Sequence, residues 1–296
     1  MEIQDGKLIS RYKDKLLKNE NIIAIIYATD DSAESLPNTK KCLRLLSVED
    51  TFCSKKEKLR YQEGETTVYL QTLDCRTFSE SIQFDINDEY QFIYKNIQIL
   101  YEKENCFYPI SKYIESNRDF YFNSRMMLEF SLLLHKYYKS RELYRNEKYL
   151  DSYNQLLDGM VHWAKIIVYE THEHPRRDLW DQVREYDLGV YKLYEELTFS
   201  EEPLLQRIEL MQLVYCNKVL SKTSFYGQPL IEYIRRRSKP VSYREIMNES
   251  PFSACSFYVD ILLNEMIQRN IVMIHKKKIR TEGSKDNTKE IAFFVK

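Results

Sequence analysis

Between Asn117 and Ile234 the chain carries almost no β signal, and this constrains its architecture more than any other feature. Met126-Met127, Phe130, Leu133-Leu134 and Tyr137-Tyr138 recur at three- and four-residue intervals, the spacing of one helical face. A second helix is predicted from Tyr149 to Thr171, stopping ahead of Pro175. A third covers Tyr186 to Phe199. Ser200-Glu201-Glu202-Pro203 then starts a fourth, with acids and a proline suited to a first turn. Four or five packed helices are expected.

The flanks read differently. Leu8-Ile9, Tyr12 and Leu16-Leu17 share a helical face, so a helix opens the chain. Ile22 to Ala28 is a short β-branched apolar run, the signature of a buried central strand. Leu43 to Val48 reads as a second strand. Leu59 to Gln62 and Thr66 to Leu73 flank Glu63-Gly64-Glu65, a turn of hairpin length. Ile97 to Tyr101 is the last strand of this part, ahead of a helix near Pro109 to Glu115. After Arg235 the order is helix (Val241 to Ile246), helix (Phe257 to Arg269), strand (Ile271 to Ile274), basic loop and strand (Ile291 to Val295). That outline is a winged helix-turn-helix. The predicted class is α+β, with a mixed-sheet domain over residues 1–116, a helical bundle over 117–234 and a winged helix over 235–296.

Composition narrows the classes. Hydrophobic residues are 43% and charged residues 30%, an ordinary globular balance. The longest apolar run, Ile22 to Ala28, is far short of the ~20 residues of a membrane span. Six cysteines at 42, 53, 75, 106, 216 and 255 form no CxxC pair, so neither a zinc knuckle nor a compact disulfide framework is expected. Reduced thiols in a cytoplasmic protein account for them. The net charge of −1 hides an asymmetry: from Arg235 onward there are 13 Lys and Arg against 7 Asp and Glu. An anionic partner would therefore meet the C-terminal part.

The run from Tyr149 to Leu210 carries a family likeness. It contains Tyr149-Leu150-Asp151-Ser152-Tyr153-Asn154, His172-Glu173-His174-Pro175, Trp180-Asp181-Gln182-Val183 and Tyr191-Lys192-Leu193-Tyr194. It resembles the helical substrate-binding domain of the nucleotidyltransferase-like family of Gram-positive bacteria (the YgxA type). The likeness extends over nearly all 296 residues. It implies a polymerase-beta-like nucleotidyltransferase sheet, a helical domain and a C-terminal winged helix. By resemblance, Tyr149, Asp151, Asn154, His174, Trp180 and Gln182 are candidates for a cleft wall. A satisfied polar core is the alternative for the same six.

The wider superfamily places Gly-Ser after the first strand, two carboxylates on the next strand and a third on a later one. Two magnesium ions need those anionic oxygens. Here Ala28-Thr29 follows Ile26-Tyr27, and no Asp or Glu occurs between Leu36 and Val48. Lys40, Lys41 and Arg44 stand there instead. A divalent ion ~4 Å from such a cation, at an effective dielectric of about 20, is repelled by roughly 8 kcal/mol. The sequence thus predicts a nucleotidyltransferase-like protein without catalytic residues, metal or cofactor, binding a nucleotide or small ligand between its first two domains. Lys41 and Arg44 would meet the ligand's phosphates.

Alternatives remain open. Asp30, Asp31 and Asp74 would be the carboxylates of an active enzyme using magnesium. His172-x-His174 lacks the i, i+4 spacing of helical zinc motifs and suits a helix C-terminus. A DNA-associated regulator is the third reading. Arg269, Lys276, Lys277, Lys278, Arg280 and Lys285 would touch phosphates independently of sequence. The second helix of that domain offers Asp260, Glu265, Asn264 and Gln268, a poor set for reading bases. Protein docking or simple packing of the same domain is the alternative for these residues.

Overall fold

The computed structural model describes residues 2–29, 41–50, 57–83, 97–103, 110–249, 252, 256–278 and 289–295. The chain is α+β and divides into two compact units, Met1–Arg118 and Asp119–Lys296.

The first unit is a five-stranded mixed sheet with helix α1 (Glu2–Leu16) on one face. Strand β1 (Ile22–Thr29) pairs antiparallel with β2 (Lys41–Glu49) and with β5 (Ile97–Glu102). Strands β3 (Glu57–Glu63) and β4 (Thr66–Asp74) form a hairpin, and β4 returns parallel to β2. The order is β3-β4-β2-β1-β5. Gly64 makes the hairpin turn possible: its φ of 60° is open to glycine at little cost. On β2 and β4 alternate residues face α1. Ile25, Leu43, Leu45, Val68 and Leu70 pack beneath Tyr12 of α1, with Leu8, Ile9 and Leu16 joining them. Helix α2 (Cys75–Gln83) follows β4.

Helix α3 follows, and the division between the two units falls inside it. This helix runs without a break from Ile110 to Arg145, about 54 Å at 1.5 Å per residue. The sequence reading placed two helices and a boundary near Asn117 here; the boundary falls inside α3. Next come α4 (Tyr149–Glu170), α5 (Leu179–Tyr186), α6 (Leu188–Phe199) and α7 (Leu204–Val214). A π-helical turn (Tyr215–Val219) and a 3-10 turn (Leu220–Lys222) lead into α8 (Thr223–Tyr226) and α9 (Gln228–Arg235). The helix expected from Tyr186 to Phe199 is α6, and the short α5 before it was not expected from sequence. Asp187 ends α5 and caps α6, accepting from the Val190 amide at 3.0 Å.

The C-terminal part holds β6 (Val241–Ser242), α10 (Tyr243–Asn248), α11 (Ser256–Gln268), β7 (Met273–Lys278) and β8 (Lys289–Phe294), with sheet order β6-β8-β7. Val241 is strand, not the helix start expected from sequence, because two residues show no periodicity. Ser242 and Glu245 then close a capping box on α10. Among the described residues no helix is long and apolar enough to cross a membrane.

Candidate functional site

The middle of the sheet is built by the parallel β2–β4 pair, which sets Arg44 directly beside Tyr69. Arg60 of β3 is the cross-strand partner of the same tyrosine. The two guanidinium carbons lie 5.6 and 5.7 Å from the Tyr69 ring centroid, within cation–π reach. Lys58 and Gln71 sit two pairs further along and help to line a groove of ≈280 Å³ with Arg44 and Tyr69. This face is cationic and aromatic.

Asp74, at the end of β4, is 4% exposed and acts as a helix cap. Its carboxylate accepts from the Thr77 amide at 3.0 Å and the Thr77 hydroxyl at 2.6 Å. Burial pushes its pKa up, but those hydrogen bonds and the Arg76 amide outweigh this and hold it below the ordinary range. Asp30 and Asp31 lie outside the described residues, as does the side chain of Lys41 on β2.

The six residues proposed for a cleft wall are not gathered by the helices. Asp151 and Asn154 are exposed on the first turns of α4, where Tyr149 packs edge-on to Tyr144 at 5.5 Å. His174 and Gln182 lie past the other end of that helix, which is 22 residues and so about 33 Å long. Gln182, fully buried, donates to the His174 carbonyl at 3.1 Å and accepts from the Arg176 amide at 2.9 Å. It pins the loop that joins α4 to α5. His174 is 7% exposed within the rings of Tyr121, Phe122 and Tyr169. Trp180 stacks on Tyr194 at 3.7 Å. For Gln182 the alternative reading, a satisfied core, fits the geometry. His172 sits at φ 58° just past α4 and closes that helix through amide bonds from His172 to Tyr169 and Glu173 to Val168.

One cluster escaped the sequence reading. Arg125 and Glu129 of α3 are 1% and 2% exposed, and α4 brings His162 and Lys165 against them. Glu129 Oε2 lies 2.6 Å from His162 Nδ1, while Oε1 accepts from Lys165 at 3.2 Å and lies 3.7 Å from Arg125 Nη2. Arg125 also donates to the Tyr169 hydroxyl at 3.1 Å. Both carboxylate oxygens are engaged, so the cluster joins α3 to α4 and leaves no edge for a ligand. The available signal was an Arg and a Glu four apart, flanked by Met126, Met127 and Phe130 on the apolar face.

In the C-terminal part, Arg269 forms an ion pair with Glu265, which also accepts from the Tyr138 hydroxyl of α3. Glu265 is therefore turned inward and is not on the face that reading α11 for base contacts assumed; it is 2% exposed. Lys276, Lys277 and Lys278 lie on β7, paired in register with Ile291, Glu290 and Lys289. Arg280 and Lys285 are outside the described residues.

Residues 123–222 match the YgxA-like substrate binding domain. The chain is 26% identical over 156 residues to the uncharacterized protein YgxA of Bacillus subtilis (strain 168), a match spanning 53% of this chain and 52% of that protein. The match thus covers about half the length of that relative. The crystal structure of a nucleotidyltransferase-like protein from Exiguobacterium sibiricum 255-15 superposes with a TM-score of 0.73 at 24% identity, over 95% of this chain and 96% of that one. The fold is nucleotidyltransferase-like. The helical region is similar to the YgxA-like domain.

Proposed function

We propose that this chain is a nucleotidyltransferase-like protein that binds a nucleotide or another small anion without two-metal transfer chemistry. The observation that carries this reading is the Arg44–Tyr69 pair on β2 and β4, with Arg60 across the same ring. Relatives of the wider superfamily need carboxylates on the strands that here hold Arg44 and Tyr69. A phosphate fits the guanidinium groups through charge-assisted hydrogen bonds, and a base can stack on an aromatic ring.

The C-terminal part is read as a winged helix from its order of β6, α10, α11, β7 and β8. Its second helix, α11, exposes Asp260, Asn264 and Gln268 and buries Glu265. A face with no lysine or arginine favours docking to protein over reading of DNA.

The test is a thermal-shift series with ATP, GTP, CTP and UTP, each with and without magnesium. A nucleotide at a hundredfold excess over its dissociation constant stabilises by about 2.7 kcal/mol. The shift is expected to be indifferent to magnesium and to disappear in Arg44→Ala. Melting curves unmoved by all four nucleotides, or magnesium-dependent nucleotide transfer, would overturn the proposal.

A further inference from the structure

A second cavity, of ≈380 Å³, opens in the helical region between the C-terminal half of α4, the start of α6 and the π-helical turn. Its size falls within the ~300–1,000 Å³ of small-molecule sites. Trp163 and Ile167 of α4 and Val190 of α6 give it apolar walls. The π-helical turn and the residues after it place Asn217, Lys218, Ser221 and Lys222 on the side facing them. Single π turns of this kind occur often at functional sites, since one extra residue re-aims the side chains that follow.

The charges of the cavity are of two kinds. Glu170 is charge-paired: its Oε1 accepts from the Tyr226 hydroxyl at 2.8 Å and forms an ion pair with Lys222 at 3.3 Å. Two charges remain. Lys218 makes no ion pair among the described residues. Asp187 accepts from the Val190 amide through Oδ1 at 3.0 Å and makes no ion pair among the described residues. A ligand of one sign would answer only one of these groups, the exposed Lys218 or the half-buried Asp187. A ligand carrying both signs answers both, each through a charge-assisted hydrogen bond.

We propose that this cavity binds a small zwitterion, a molecule with an ammonium group and a carboxylate on an apolar frame, the chemical class of the amino acids. The ammonium meets Asp187, the carboxylate meets Lys218, and the apolar frame lies against Trp163, Ile167 and Val190. The site shares no residue with the Arg44–Tyr69 face, so it goes beyond the nucleotide reading.

The chain holds two tryptophans, so Trp180→Phe, which keeps an aromatic ring on Tyr194, leaves Trp163 as the sole reporter at the cavity wall. In that background the protein is titrated with L-leucine and L-phenylalanine, then with leucinamide, which lacks the carboxylate, and isocaproate, which lacks the amine. A saturable change in Trp163 fluorescence is expected for at least one amino acid, with both truncated probes binding at least tenfold more weakly. Lys218→Met should abolish the preference for leucine over leucinamide. Asp187→Asn, which still caps α6, should abolish the preference over isocaproate. A flat signal with both amino acids overturns the proposal. So does a truncated probe that binds as tightly as leucine, or preferences that survive both substitutions. The readout needs no nucleotide, so its failure and that of the Arg44-dependent melting shift are separate results.

Discussion

Glu129 lies inside the helical region at 2% exposure with both carboxylate oxygens engaged, and the groups that engage it come from two different helices. Replacing it by alanine strands Arg125, itself 1% exposed, without its carboxylate. Breaking one side of a buried pair costs about 3–5 kcal/mol, and Glu129→Ala is expected to lose that much in urea-unfolding measurements. A loss below about 1 kcal/mol would mean the pair behaves as a surface one. Acid should act through the same group. Burial raises the Glu129 pKa, but the hydrogen bond from His162 and the charges of Lys165, His162 and Arg125 outweigh it and hold the value below the ordinary 4.5. A depressed folded-state pKa stabilises above the unfolded value and is lost as pH falls through the folded one. Wild type should therefore lose stability below pH 4.5 more steeply than Glu129→Gln, measured as urea midpoints across that range. Equal slopes would remove Glu129 from the account.

Among the elements, the π-helical turn changes the packing most. It carries Tyr215, fully buried, to the one place on α4 that lacks a side chain. The Tyr215 hydroxyl donates to the Leu156 carbonyl at 3.1 Å, and a Cβ on Gly159 would come within 2.9 Å of that oxygen. Two effects then compete in Gly159→Ala. Helix propensity favours alanine by about 1 kcal/mol, while overpacking of a filled core costs about 1–3 kcal/mol. Because Tyr215 is held by its hydrogen bond, the steric cost should win, giving a net loss of about 1 kcal/mol by chemical denaturation. A gain in stability would show that Tyr215 can withdraw freely. Periodicity alone could not reveal this element, since one inserted residue leaves the apolar spacing of α7 nearly intact. The helix ends were equally hidden. Glu147, His172 and Asn270 adopt φ near 58° and close α3, α4 and α11 with the same pair of amide bonds, where glycine is the residue a sequence reading seeks.

At the scale of the whole molecule, the C-terminal sheet and its helices belong to one compact unit with the helical region. Two of the contacts that join them lie on α11. Tyr138 of α3 donates to buried Glu265 of α11, and Met266 of α11 lies so close to Gly227 that a Cβ there would meet its methyl group at 1.9 Å. Tyr138→Phe leaves Glu265 with Arg269 alone. Removing one partner of a buried acceptor costs about 1–3 kcal/mol, and amide exchange in α11 and β6 to β8 should accelerate before that of α4. Unchanged exchange in those strands would show that this hydrogen bond does not hold the two parts together.

The sequence by itself determined the elements whose signal is local and repeated. Ile22 to Ala28, Thr66 to Leu73 and the helix from Tyr149 fell where hydrophobic period and turn chemistry placed them, because one buried face imposes its repeat on the chain. The absence of acids from the middle of β2 was also legible, since it depends on residue identity alone. Only the tertiary structure decided which polar groups meet. Arg44 reaches Tyr69 through a parallel pairing across the intervening β3 hairpin, Glu129 meets Lys165 across two helices, and Lys218 shares a cavity with Asp187 from a distant turn. Such contacts join residues tens of positions apart with no common period, so they exist only once the core has fixed the distances between them.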